Sequence, residues 1–89
     1  MYAVRITGPD SDFWTGWVIR NAYFERGSLK MATLRRLHLA EKSATLEEAE
    51  ETAVLMAAQE PHLIGRIKIM KLRKTAPDDR WAVEGSCTQ

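Results

Sequence analysis

The stretch SATLEEAEETAVLMAAQEP, residues 43–61, carries the clearest structural signal in the chain, because the features of an amphipathic helix follow one another in order. Thr45 is followed three residues later by Glu48, the pattern of a capping box, and Pro61 marks the end. One side carries small and apolar residues at helical spacing: Leu46, Ala49, Ala53, Met56 and Ala57. We predict a helix over residues 46–60 that can lie close against a sheet.

The stretch IGRIKIMKLRK, residues 64–74, follows this helix and has the alternation of a β-strand. Ile67 and Ile69 point to one side of such a strand, while Arg66 and Lys68 point to the other. The sequence therefore predicts a strand with a core face and a positive outer face.

An N-terminal hairpin is predicted before the helix. Residues 2–7 (YAVRIT) alternate as a half-buried strand, and residues 8–12 (GPDSD) supply turn residues. Residues 13–20 (FWTGWVIR) form the second strand of the simplest hairpin. Gly16 within that strand predicts a bulge or the close approach of another backbone.

Residues 22–44 fit two structures. The sequence ERGS at 25–28 predicts a turn, and Ser28 followed by strong helix formers is typical of a capped helix. In RRLHLA, however, leucines alternate with other residues, which favours a strand over about residues 34–42. Both alternatives stay open.

The order of elements predicts an α+β fold, a mainly antiparallel sheet of four to five strands with one helix packed on one face. Residues 75–79 (TAPDD) form a turn, and residues 80–84 (RWAVE) complete a C-terminal hairpin with the basic strand. We expect one domain over residues 1–84 and a flexible tail over residues 85–89.

Charge is unevenly distributed along the chain. The 89 residues carry 13 Lys and Arg and 12 Asp and Glu, a formal net charge of +1. Residues 46–61 contain five Glu and no basic residue, whereas residues 62–89 contain six basic and three acidic residues. On exposed elements this separation produces patches of opposite sign.

Cysteine usage and hydropathy favour a cytoplasmic protein. Cys87 is the single cysteine, so no disulfide forms within the chain, which suits a reducing compartment. The N-terminus resembles a strand more than a signal peptide, and no apolar run reaches the roughly 18 residues of a membrane helix.

The sequence lacks the residue patterns that catalysis requires. His38 and His62 are its two histidines, too few with Cys87 for a zinc site, and the nucleophile, zinc-protease and phosphate-loop motifs are absent. Asp10 and Asp12 lie in a turn without the glycine and distal glutamate of a calcium loop. We expect no catalytic residues, no cofactor and no metal, and so a protein that is not an enzyme.

The basic strand has two interpretations. Arg66 and Lys68, with Arg73 beyond them, are placed to contact phosphates, as in a nucleic-acid-binding module that uses strand 64–74. Alternatively, these cations keep a sheet face solvated or guard an open edge against unwanted pairing.

The acidic helix has a parallel pair of interpretations. Glu47, Glu48 and Glu51 lie off the alanine side and are either simply solvated or form an acidic strip that binds a basic protein surface. Leu55 lies beside them and would anchor such a partner.

The tryptophans also indicate a contact surface. Trp14 and Trp81 are candidates for partner binding, because a sheet with its helix on one face leaves the other face exposed or covered by a partner. Alternatively, the segment 22–33 covers that face. A homodimer is compatible with each interpretation, since a terminal strand, 2–7 or 80–84, would present an open edge.

The layout resembles a known kind of protein. A chain that opens on a strand and a hairpin, continues with TLEEAEETA and then has IGRIKIMKL is similar, over residues 2–73, to small accessory proteins of phages and prophages, including anti-CRISPR proteins. The resemblance implies a stoichiometric binder that inhibits or modulates a host or defence complex. We therefore expect a non-enzymatic protein that acts through protein–protein contacts, with nucleic-acid binding as the alternative.

Overall fold

Five strands and one α-helix form the computed structural model, which describes residues 1–76 and 79–87. All strand pairings are antiparallel and the order across the sheet is β3-β2-β1-β4-β5, which confirms the α+β class. The elements are β1 (Tyr2–Ile6), β2 (Gly16–Glu25), β3 (Ser28–Leu34), α1 (Leu46–Gln59), β4 (Ile67–Thr75) and β5 (Arg80–Ser86), with short 3-10 turns at Leu37–Leu39 and Pro61–Arg66.

Helix α1 begins at the predicted cap. The Thr45 hydroxyl accepts a hydrogen bond from the Glu48 backbone N–H at 3.2 Å, which satisfies one of the unpaired donors of the first turn. The buried stripe is Ala49, Thr52 and Met56, whereas Leu46, predicted on that side, is exposed. Thr52 can be buried because its hydroxyl donates to the Glu48 carbonyl oxygen at 3.2 Å.

The first face of the sheet, which α1 covers, holds the main core. Its buried members come from four strands, the helix and the second 3-10 turn: Val4, Ile6, Val18, Met31, Ala49, Met56, Leu63 and Ile69. Ile67 packs against this cluster, so the predicted core side of the basic strand is confirmed. The helix therefore lies close to the sheet, as its small side chains allow.

The second face of the sheet, opposite α1, is also covered. A smaller cluster of Ala3, Trp17, Ala40 and Leu72 is buried there, and Leu37 packs against it from the 3-10 turn. The Lys42 ammonium donates to the Leu37, His38 and Ala40 carbonyl oxygens at 3.2, 3.2 and 3.0 Å, and burial lowers the pKa of Lys42.

The prediction of a strand at 34–42 is therefore wrong, as is the helical alternative for 28–42. Strand β3 ends at Leu34, and the 3-10 turn brings Leu37 and Ala40 onto the same side, where both contact the second face. The cover of that face comes from residues 37–40 and not from residues 22–33.

Strand β2 pairs with β1 over only a short stretch. It begins at Gly16, three residues later than predicted, and pairs with β1 through Arg5–Trp17 and Ile6–Gly16. The predicted close approach at Gly16 is confirmed, because a Cβ there would lie 2.7 Å from the Leu34 carbonyl oxygen. Its φ of +148° is also one that other residues rarely adopt.

Beyond Ile19 the β2–β3 hairpin leaves the sheet as an arm, residues 20–30. Asn21 has a φ of 55° and the pairing register shifts between Ile19 and Tyr23. The arm ends at Arg26 and Gly27, whose φ values of 50° and 79° suit a tight hairpin turn, so the predicted turn is confirmed. Where β2 departs, Ser43 pairs with Tyr2 instead.

The C-terminal hairpin is longer than predicted. Strand β5 runs on to Ser86, and the Cys87 N–H donates to the Ile69 carbonyl oxygen at 2.7 Å, so residues 85 and 86 are not part of a flexible tail. Gly85 pairs with Lys71 and Ser86 pairs with Met70, because β4 extends far enough to provide backbone partners for both residues. Residues 77–78 of the predicted turn and 88–89 of the tail lie outside the described residues.

The sheet order also decides which edges are open. Strand β1 lies in the centre of the sheet, so the prediction of residues 2–7 as an open edge is wrong. Strands β3 and β5 are the outer strands, which leaves residues 80–84 at an edge as predicted.

Candidate binding surfaces

Arg66 serves the fold and does not lie on the outer face of β4. It ends the 3-10 turn before the strand, and its guanidinium donates to the Thr7 carbonyl oxygen at 2.6 Å and to Asp12 Oδ2 at 2.7 Å. The bond from Arg66, together with the Trp14 backbone N–H at 3.0 Å, lowers the pKa of Asp12. The predicted place of Arg66 on the outer face of the strand is wrong, because its side chain holds the loop between β1 and β2. Its role as a partner contact stays a prediction.

Lys68 and Arg73, predicted as parts of one basic surface, lie on opposite sides of the sheet. Lys68 is directly opposite Arg5, whose guanidinium lies 5.5 Å from the centre of the Trp17 ring in the second cluster. Arg73 and Lys74 are consecutive residues of β4, so their side chains point to opposite faces of the sheet. The Lys74 ammonium lies 5.3 Å from the centre of the Trp81 ring. Since Trp81 packs against the second cluster, Lys68 and Lys74 share the second face and Arg73 points to the first.

Trp14 and Trp81 are likewise on opposite sides. Trp14 packs against the core under α1 and meets Phe13 edge to face, with ring centres 5.2 Å apart. Trp81 is half-buried on the second face and lines a cavity of about 560 Å³ with Arg36, Leu37, His38 and Arg80. The eight predicted contact residues therefore do not converge on one site.

Two of the four glutamates of α1 lie in line along one side of the helix. Glu47, Glu51 and Leu55 follow one another at four-residue spacing, so they lie along one side of the helix. The same spacing leads to Gln59, whose side chain contacts strand β3. Glu48 is exposed but lies on the neighbouring side, above the buried Thr52. We call Glu47 and Glu51 the acidic strip.

An exposed apolar surface continues the acidic strip toward the arm. Phe24 and Leu29 are cross-strand partners, 68% and 55% exposed. Leu29 and Leu55, which is 39% exposed, both line a cavity of about 310 Å³. The other residues of its lining are Arg20, Asn21, Lys30, Met31 and Gln59. We call Phe24, Leu29 and Leu55 the apolar end.

Sequence reasoning found Leu55 but missed its two neighbours in the apolar end. The signal was present, because Phe24 and Leu29 flank the predicted turn ERGS symmetrically. In a hairpin closed by that turn, the two side chains must lie side by side on one face. The sequence left residues 28–42 open between helix and strand, however, and the pairing of Phe24 with Leu29 could not be predicted.

Ion pairs leave most of these charges unneutralised. Within residues 1–76 and 79–87 the ion pairs are Arg66–Asp12 and an exposed pair, Arg35–Asp10 at 3.6 Å. The glutamates of α1 therefore have no cation within ion-pair distance in the described chain, and neither Arg5 nor Lys68 has a carboxylate. The glutamates of α1 on one side of the sheet, and Arg5 and Lys68 on the other, are thus available to a partner.

In the part of the chain that the structure describes, no three His, Cys, Asp or Glu side chains are close enough to hold a metal ion. None of its helices combines the length and apolar character needed to cross a membrane.

Comparison with protein-family models, with curated proteins and with solved structures finds no match for this chain.

Proposed function

We propose that this chain is a non-enzymatic binding module that contacts a protein partner through the apolar end and the acidic strip. The observation that carries the proposal is the continuity of Leu29 and Leu55 around one cavity, with Phe24 paired to Leu29 and glutamates one and two turns away. Exposed apolar anchors bordered by charge are typical of protein interfaces.

The apolar end is held in place before any partner binds. The Gln59 side chain accepts from the Met31 N–H at 2.8 Å and donates to the Met31 carbonyl oxygen at 3.0 Å. Two hydrogen bonds thus fix the end of α1 against β3, just below the arm. A preformed surface loses less conformational entropy on binding, which favours tight association.

Charge indicates the kind of partner. Glu47 and Glu51 form no ion pair within the described residues, so a partner with lysines or arginines beside its apolar patch would complement the acidic strip. The resemblance to phage accessory proteins supports the same class of action, in which the chain inhibits or modulates a host or defence complex by occupying one of its surfaces.

The test compares two matched double variants in nuclease-treated bacterial lysate. Phe24→Ser with Leu29→Ser removes the apolar end, while Phe13→Ser with Ile64→Ser removes an aromatic and an aliphatic residue of similar exposure, 81% and 63%, elsewhere. Proteins captured by the tagged wild type are identified by mass spectrometry. The captured partner is then purified and titrated with the wild type and with each variant. Its affinity should fall at least about tenfold for the first variant and stay unchanged for the second.

Charge reversal at the acidic strip gives an independent check. Glu47→Lys with Glu51→Lys should slow association with that partner, whereas Glu50→Lys, a single reversal on the same helix, should slow it less. Equal binding by wild type and by the Phe24/Leu29 variant would refute the proposed surface.

A further inference from the structure

Two like charges lie side by side on the second face. Arg5 of β1 and Lys68 of β4 are direct cross-strand partners, so their Cβ atoms are about 5 Å apart. Like charges in this position are destabilising. No carboxylate of residues 1–76 or 79–87 forms an ion pair with either of them. The Arg5 guanidinium lies 5.5 Å from the centre of the Trp17 ring, which offsets part of this cost. A local arrangement that opposes folding is characteristic of a functional site.

Further cations extend this positive region along the same face. Lys74 lies six residues from Lys68 on β4, about 20 Å along a strand. Arg36 lines the cavity that contains Trp81, the residue over which the Lys74 ammonium sits. Lys42 does not contribute a free charge, because its ammonium is bound to three carbonyl oxygens.

The acids of the helix lie on the other side of the sheet. Glu47, Glu48, Glu50 and Glu51 are all exposed on α1, which covers the first face. These glutamates therefore lie on the side of the sheet opposite Arg5 and Lys68, where they do not offset the attraction of this pair for an anion.

The chemistry beside Arg5 and Lys68 favours phosphate over a protein contact. Trp17 and Leu72 are only 6% and 3% exposed, and Met70, between Lys68 and Leu72 on this face, is half-buried, so little apolar surface is available beside the pair. Protein interfaces have an apolar core, whereas cations without one are typical of contacts to a phosphate backbone.

We propose that the second face binds the phosphodiester backbone of a nucleic acid, with one phosphate between Arg5 and Lys68 and others toward Lys74 and Arg36. Binding through phosphates alone is independent of base sequence. This site is separate from the apolar end, so either proposal can be refuted while the other still holds.

The test is fluorescence anisotropy with a labelled oligo(dT) strand and a labelled duplex, each of 20 nucleotides per strand, over a series of KCl concentrations. Arg5→Gln with Lys68→Gln removes the proposed site. Arg73→Gln with Lys71→Gln is the matched control, because it removes one arginine and one lysine from the first face, where Lys71 is opposite Tyr2.

We expect wild-type affinity to fall steeply with salt for at least one probe, and the comparison of the probes assigns single strand or duplex. The Arg5/Lys68 variant should lower the slope of log K against log[KCl] by about 1 to 2, while the control leaves it unchanged. Its melting temperature should not fall, because like-charge repulsion is relieved.

Three results would overturn the proposal. These are the absence of salt-dependent binding to both probes, equal loss in both double variants, and equally strong binding of poly-glutamate. The Phe24/Leu29 variant should bind the oligonucleotides as the wild type does, which distinguishes a failure of this site from a failure of the apolar end.

Discussion

Arg66 and Asp12 show how a single charged residue acquires a role that its local pattern does not indicate. In the alternation of IGRIKI, Arg66 is an outward-facing strand residue. The 3-10 turn at Pro61–Arg66 delays the start of β4 to Ile67, and the guanidinium turns to the loop 54 positions earlier. One side chain thereby fixes the loop that carries Trp14.

Acidification should weaken the fold through Asp12. Its pKa lies below the ordinary value of 3.8, chiefly because of the bond from Arg66, so its ionised form stabilises the fold above that value. This contribution is lost as pH falls through 3.8 toward the folded pKa. Urea unfolding between pH 7 and 3 should show a smaller loss for Asp12→Asn than for the wild type.

Asp10→Asn is the control for this prediction, since Asp10 lies in the same loop and makes only an exposed ion pair. It should retain the wild-type dependence on pH. A pH dependence of Asp12→Asn equal to that of the wild type would contradict the assigned role.

At the scale of elements, α1 closes the open edge of β3. Edge strands expose backbone groups that invite pairing with another chain. The Gln59 amide occupies one such position by bonding both the N–H and the carbonyl oxygen of Met31, as a neighbouring strand would. The middle of β3 is thus protected by a residue 28 positions away.

Replacing Gln59 by alanine should open this edge. The Met31 N–H and carbonyl oxygen lose their partners, and we expect a loss of about 1–2 kcal/mol in the free energy of unfolding. Hydrogen exchange at the Met31 amide should accelerate, and light scattering should show self-association at high concentration. Glu50→Ala, exposed on the same helix, should change stability by less than about 0.5 kcal/mol. Wild-type exchange at Met31 would contradict this prediction.

At the scale of the whole molecule, folding and the proposed protein contact use different apolar residues. Met56 is fully buried between α1 and the sheet, whereas Phe24 and Leu29 are largely exposed on the arm. A domain of this size has a total stability of roughly 5–15 kcal/mol, so the loss of one core side chain is a large fraction of it.

Met56→Ala should therefore lower the free energy of unfolding by about 2–5 kcal/mol. Phe24→Ser with Leu29→Ser should change it by no more than about 1 kcal/mol, because neither side chain is in the core. Thermal or urea unfolding measures both. A loss in the arm variant as large as that of Met56→Ala would assign the apolar end to the core.

The sequence predicted parts of each surface but not their grouping. Glu47, Glu48 and Glu51 were predicted as one strip, and Glu47 and Glu51 do lie on one side of α1, because helical spacing is a local property. Arg73 and Lys68 were grouped because they share a strand, yet they are five residues apart, so the alternation of side chains along β4 places them on opposite faces. Arg5 was missed as a neighbour of Lys68, because their pairing depends on the strand order.

The sequence by itself determined the α+β class, the capped helix and the inward side of the basic strand, since each follows from a periodicity within a few neighbouring residues. Only the tertiary structure decided that β1 is central, that residues 37–40 cover the second face and that Arg66 binds Asp12. These depend on the free energy of contacts between residues far apart in the chain, which no local pattern contains.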